Sequence, residues 1–142
     1  MPLENFGSIL NFAEELESQD QEFYEVLVGN SACSDHKQMF EQFAANAKKN
    51  VKTAQRTRRE NVTEMILEPI KDFVRAPYCE VCQAASDMTL EDALTTAKRL
   101  EDRAVRYYTE AAAKMKALPE VARALKLIAK KHNAHRDSLA AI

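Results

Sequence analysis

The sequence predicts an all-α protein, an antiparallel four-helix bundle with a long crossover between helices two and three. Three observations carry this. Glycine and proline are scarce, two and four residues of 142, while Ala, Glu, Lys, Leu and Arg abound, a composition suited to helices. Apolar residues recur at helical spacing in four stretches. Two of those stretches repeat one another, so one helix hairpin is present twice. The length suits one domain, residues 1–142, with a single sizeable core.

The first helix is expected over Ile9–Val28, where Ile9, Phe12, Leu16, Phe23 and Leu27 fall at helical spacing. Gly29-Asn30-Ser31 supplies its stop. The second is expected over Asp35–Met65, with Phe40, Phe43, Ala44, Ala47, Val51 and Ala54 on its inner face. Pro69 and Pro77 punctuate the crossover beyond Met65, and "IKDFVRA" between them reads as a short helix. Thr89 is placed to cap the third helix, with Glu91 and Asp92 favouring its first turn, and the helix runs to about Ala117. Pro119 suits the first position of the fourth helix, which runs to about Ala141.

The repeat lies in "FAEELESQDQEFYE" (Phe12–Glu25) and "TAKRLEDRAVRYYTE" (Thr96–Glu110). Ala13, Glu17, Phe23 and Tyr24 of the first match Ala97, Glu101, Tyr107 and Tyr108 of the second. At 100° per residue Glu101 lies near the centre of an apolar stripe. Glu17 lies at the edge of the matching stripe, and Asp20 falls nearer its centre. On the fourth helix His132 and His135 share the stripe of Val121, Leu125, Ile128 and Leu139. A buried carboxylate is costly without a proton, a hydrogen bond, a cation or a metal. A single such residue is ordinarily satisfied by hydrogen bonds. Two carboxylates at equivalent places in a repeat, with two histidines at i, i+3, are a set that can address one ion or two adjacent ions.

These residues resemble the ferritin-like superfamily, and within it the rubrerythrin-type di-iron domain. That family carries Glu in helix one, Glu-x-x-His in helix two, Glu in helix three and Glu-x-x-His in helix four. The two repeated frames resemble helices one and three, including the tyrosine seven residues after each glutamate, Tyr24 and Tyr108. "FEQFAANAKKN" resembles helix two and "LKLIAKKHNAH" helix four. The resemblance places Glu17 and Glu101 as bridging carboxylates. The ligand set departs from the family's. Ala47 stands where helix two should carry Glu, and Asn50 where it should carry His. In helix four His132 takes the Glu place and His135 keeps the His place.

The resemblance therefore implies a metal-binding protein with a reduced, mononuclear or partial site on Glu17, Glu101, His132 and His135. Asp20, Asn50, Tyr24 and Tyr108 stand as further ligands or supporting groups. One Fe, Mn or Zn ion suits that set, and a normal di-iron centre is not expected. The family's peroxidase and ferroxidase chemistry uses two cooperating irons, so the chain reads as an oxidoreductase only if the reduced site is active, with a small redox partner. The alternative is a metal-free bundle, structural or acting through an interface, in which the histidines pair with the glutamates.

Cys79 and Cys82 form one Cys-x-x-Cys in "APYCEVCQAA". The pair reads as small residues packed in a crossover, as a redox dithiol, or as half of a metal site completed by Cys33, His36 or a second subunit. No βαβ pattern surrounds it, which excludes a thioredoxin-like reading. The basic run "KKNVKTAQRTRRE" has no interleaved aromatic residue and reads as a solvated helix face or an oligomer surface, not a nucleic-acid site. Within it, Arg58 is expected to point inward and pair with an acid. The net charge of −2 shows no basic excess. No apolar run approaches the roughly 20 residues of a membrane span. No signal peptide is recognised at the N-terminus, and three cysteines fit a reducing compartment, so the cytoplasm is the expected location. A homodimer through the long helices is the expected assembly.

Overall fold

A computed structural model describes residues 6–60, 73–79, 85–116 and 118–142. Four long helices form the bundle: α1 (Phe6–Val28), α2 (Lys37–Glu60), α3 (Leu90–Lys114) and α4 (Pro119–Ala140). Each buries one stripe, as the periodicity requires. Among the described residues, no helix is long and apolar enough to cross a membrane.

The caps explain where the helices begin and end. After Val28 the chain turns into a 3₁₀ segment, Ser31–His36, that leads into α2. Asn30 holds this corner: its side chain accepts from the Ala32 amide at 2.9 Å and donates to the Met88 carbonyl at 2.9 Å. The corner between α1 and α2 is thereby tied to the approach to α3. Thr89 caps α3 as expected, accepting from the Asp92 amide at 3.1 Å, with Glu91 and Asp92 in the first turn. Pro119 occupies the start of α4, where its missing N–H costs nothing.

Three expectations are corrected. Arg58 is exposed, and Thr57 is the buried residue at that end of α2. Thr57 fits there because its hydroxyl donates to the Thr53 carbonyl at 2.7 Å; a guanidinium would have needed a carboxylate. The described part of "IKDFVRA", residues 73–76, forms no α-helix; a 3₁₀ turn occupies Ala76–Tyr78 instead. Pro77 lies inside that turn and breaks any longer helix. The second helix begins at Lys37 rather than Asp35. Its expected end at Met65, and Cys82, lie outside the described residues.

The helices pack as two hairpins, α1 on α2 and α3 on α4. Contacts between α1 and α3 run in opposite directions along the two helices, Glu17 to Tyr108 and Tyr24 to Glu101, so these helices are antiparallel. The apolar core divides into two clusters. One holds Ile9, Phe12, Leu16, Tyr107, Leu125 and Ile128, with Phe73 and Tyr78 from the connection packed on Tyr107. The other holds Phe23, Tyr24, Phe40, Phe43, Leu100 and Leu139. Between them lies a polar layer.

Candidate metal centre

The polar layer is built from all four helices. α1 brings Glu17 and Asp20, α2 Asn50, α3 Glu101 and Arg103, and α4 His132 and His135; each is at most 5% exposed. The four residues expected to meet at the centre are therefore brought together, along with Asp20 and Asn50. Both Glu17 and Asp20 are fully inside, whatever their offset from the stripe's centre.

The repeat in sequence becomes a repeat in hydrogen bonding. Tyr24 donates to Glu101 Oε1 at 2.8 Å, and Tyr108 donates to Glu17 Oε2 at 2.7 Å. Each hairpin's tyrosine thus serves the other hairpin's glutamate. Asn50 donates to Glu17 Oε1 at 2.9 Å, and its counterpart His135 meets Glu101 Oε1 through Nδ1 at 3.0 Å. The symmetry breaks at one pair of positions. Ala47 offers no polar atom, while His132 spans both halves: Nδ1 contacts Glu101 Oε2 and Nε2 lies 2.7 Å from Glu17 Oε2.

Packing fixes the two imidazoles. The His132 ring stacks on Tyr108, centroids 5.6 Å apart, and His135 stacks on Phe43 at 3.9 Å. Asn46 contacts His135 Nε2 at 2.9 Å. Burial alone would lower the His132 pKa, but the Glu17 and Glu101 carboxylates on either side override it and raise it well above the usual imidazole value. Burial would likewise raise Glu101, but His132 and then His135 hold its carboxyl down to about 2.

Asp20 has a partner that the sequence did not single out. Arg103, 2% exposed, donates through Nη2 to Asp20 Oδ1 at 2.9 Å and through Nη1 to the Tyr78 carbonyl at 3.4 Å. Arg103 sits at the flank of its stripe beside other arginines, so periodicity could not distinguish it. The usable signal was Asp20 itself: an acid near the stripe centre requires a cation. Burial and the neighbouring Glu17 still leave Asp20 with a pKa well above the usual carboxylate range, Arg103 notwithstanding. Its Oδ2 has no hydrogen-bond partner, nor has Asn50 Oδ1.

The donors fall into two overlapping groups whose ligand atoms lie within 4.8 Å of one another: Glu101, His132 and His135, and Glu17, Asp20 and His132. The first is a set of two imidazoles and one carboxylate, which suits a divalent transition ion with open positions. The residues do not fit the two-iron centre of the rubrerythrin pattern. Ala47 has no ligand atom, and Asn50 turns its amide N–H to Glu17. The buried cluster is compatible with a bound metal ion. Of the Cys-x-x-Cys, Cys79 is exposed and free and Cys82 lies outside the described residues.

A family model described as a ferritin-like domain matches residues 7–142. No curated protein matches the chain.

Proposed function

Because the chain belongs to the ferritin-like domain family, we propose that it is a metal-binding bundle holding one divalent transition ion on Glu101, His132 and His135. The observation that carries this reading is the charge of the polar layer. Three buried carboxylates, Glu17, Asp20 and Glu101, face one buried guanidinium, Arg103. With the carboxylates ionised and both imidazoles neutral, that is an excess of two negative charges in a region of low dielectric, where charge is expensive; without an ion it is offset by protons on His132 and Asp20, whose pKa values are both raised. One divalent cation among neutral imidazoles cancels it.

The protein's own groups are disposed to hold such an ion. His132 would hold the ion through Nδ1 on the Glu101 side, releasing one proton to solvent, and would keep an N–H on Nε2 toward Glu17 Oε2, 2.7 Å away. This carboxylate–histidine arrangement fixes the ring and raises its basicity. His135 would hold the ion in the tautomer protonated at Nε2, leaving free the Nδ1 that now faces Glu101 Oε1 at 3.0 Å; the Asn46 side-chain amide, 2.9 Å from Nε2, would accept that N–H through its oxygen. Tyr24 and Tyr108 hold the two carboxylates by their remaining lone pairs. The bound ion supplies Lewis-acid chemistry, or redox chemistry when it is iron or manganese, and in the latter case the protein serves as an oxidoreductase with a small redox partner.

A second reading rests on a specific contact. Both ring nitrogens of His132 already meet carboxylates, which a protonated imidazole satisfies without metal. Metal analysis separates the two. Protein purified without added metal, then reconstituted with Fe(II), Mn(II) or Zn(II), is expected to hold about one equivalent. His135→Ala loses most of it, and His36→Ala, a half-buried residue outside the layer, retains it. Metal content near zero that reconstitution does not raise, or equal loss in both variants, refutes the metal site and leaves the proton-filled bundle.

A further inference from the structure

The groove between α2 and α4 carries a charge pattern that the metal reading does not use. A concavity of about 460 Å³ is lined by Lys49, Lys52, Arg56 and Arg59 from α2 and by Lys131 from α4, and no carboxylate lines it. All five cations are exposed. Among the described residues none of them forms an ion pair. The pattern does not follow from general basicity, because the whole chain is at −2. From Lys48 to Arg59 there are six cations and no acid.

Helical spacing makes these residues a stripe. Positions 49, 52, 56 and 59 share one side of α2 over about 15 Å, and Lys131 faces them from the other helix. Like charges at such spacings repel, and a bound anion relieves that repulsion. The same groove lies beside the polar layer. Asn46, one turn before Lys49, contacts His135, and His135 is one turn after Lys131. His135 is the most exposed of the buried Glu, Asp and His residues of that layer, at 5%.

We propose that this groove binds a small anion bearing two or more phosphoryl groups, of the inorganic pyrophosphate class. Arg56 and Arg59 present guanidinium forks that match phosphoryl oxygens in pairs. Lys49, Lys52 and Lys131 supply charge from both walls. The concavity lies within the roughly 300–1,000 Å³ of small-molecule sites. No aromatic residue interrupts the stretch from Lys48 to Arg59 to stack a base, which disfavours a single-stranded nucleic acid as occupant. The proposal goes beyond the metal site and does not rest on it.

The test is a titration with inorganic pyrophosphate, followed by calorimetry and by amide chemical shifts. It is run on the protein as purified and again after chelation and desalting, so that extraction of an ion is not the source of the heat. The expected result is saturable binding with shifts along residues 49–59 and around Lys131. Arg56→Ala/Arg59→Ala weakens it by roughly tenfold or more. Lys98→Ala/Arg123→Ala, which removes two exposed cations outside the groove, leaves it unchanged. All four side chains are exposed, so neither variant removes a buried contact. Absence of saturation overturns the proposal, as does equal weakening in both variants. Tighter binding of single-stranded oligonucleotides with increasing length also overturns it, in favour of a polymer.

Discussion

Replacing Arg103 with methionine removes one partner of the ion pair to Asp20 and keeps most of the side-chain volume. The two groups meet at 2.9 Å and each is 1% exposed, so no water takes over the lost contact. Breaking a buried pair from one side costs about 3–5 kcal/mol, because the other charge stays behind. For 142 residues the unfolding entropy is about 0.3 kcal/mol/K, so Tm falls by about 10–17 °C. The deficit also depends on pH. Burial and Glu17 already raise the Asp20 pKa, and Arg103 opposes them; without Arg103 it rises further. A carboxyl whose folded pKa exceeds its unfolded value binds protons more tightly when folded, so stability falls as pH rises through that window. The variant's deficit is therefore larger at pH 8 than at pH 5. Denaturant and thermal unfolding of metal-free protein at both pH values measure this, and Arg103→Met/Asp20→Leu recovers most of the loss, since apolar replacement of a buried pair is often neutral. A deficit under about 1 kcal/mol that does not change with pH refutes the reasoning.

Two further outcomes concern the centre itself. Metal affinity is expected to rise with pH, because His132 holds its proton well above the usual imidazole value and must release it to take an ion. Below its folded pKa the affinity changes about tenfold per pH unit with roughly one proton released per ion, which calorimetry in two buffers of different ionisation heat reads directly; a pH-independent affinity excludes His132 as a ligand. Tyr24→Phe and Tyr108→Phe each withdraw one donor from a buried carboxylate and are expected to cost a similar amount, about 1–3 kcal/mol, in urea unfolding. A large cost for one and none for the other would show that the two hairpins do not serve each other symmetrically.

The inner faces were legible in the sequence because a helix writes its buried side every three or four residues. Glu17, Glu101, His132 and His135 stood out by interrupting that stripe with polar groups, and all four are buried in the polar layer. The equivalence of Glu17 with Glu101, and of Tyr24 with Tyr108, was legible as a repeat. Thr89 was legible as a cap because its role is local. Arg58 was misread because the edge of a stripe is a matter of tens of degrees, and a neighbour one residue away, Thr57, took the inward place.

What the sequence by itself determined is the number of helices, the stripe each one buries and the list of polar groups that must share the core. Those depend on φ, ψ and spacing, which are local. The tertiary structure decided which groups meet. Periodicity names a face and not the residue opposite, so the exchange of tyrosines between hairpins, the Arg103–Asp20 pair and the position of His132 between two glutamates arise only from how the α1–α2 hairpin docks on the α3–α4 hairpin. The same docking gathers the acids of the polar layer and lines up the cations of the α2–α4 groove, because burial and electrostatic compensation are properties of the assembled bundle.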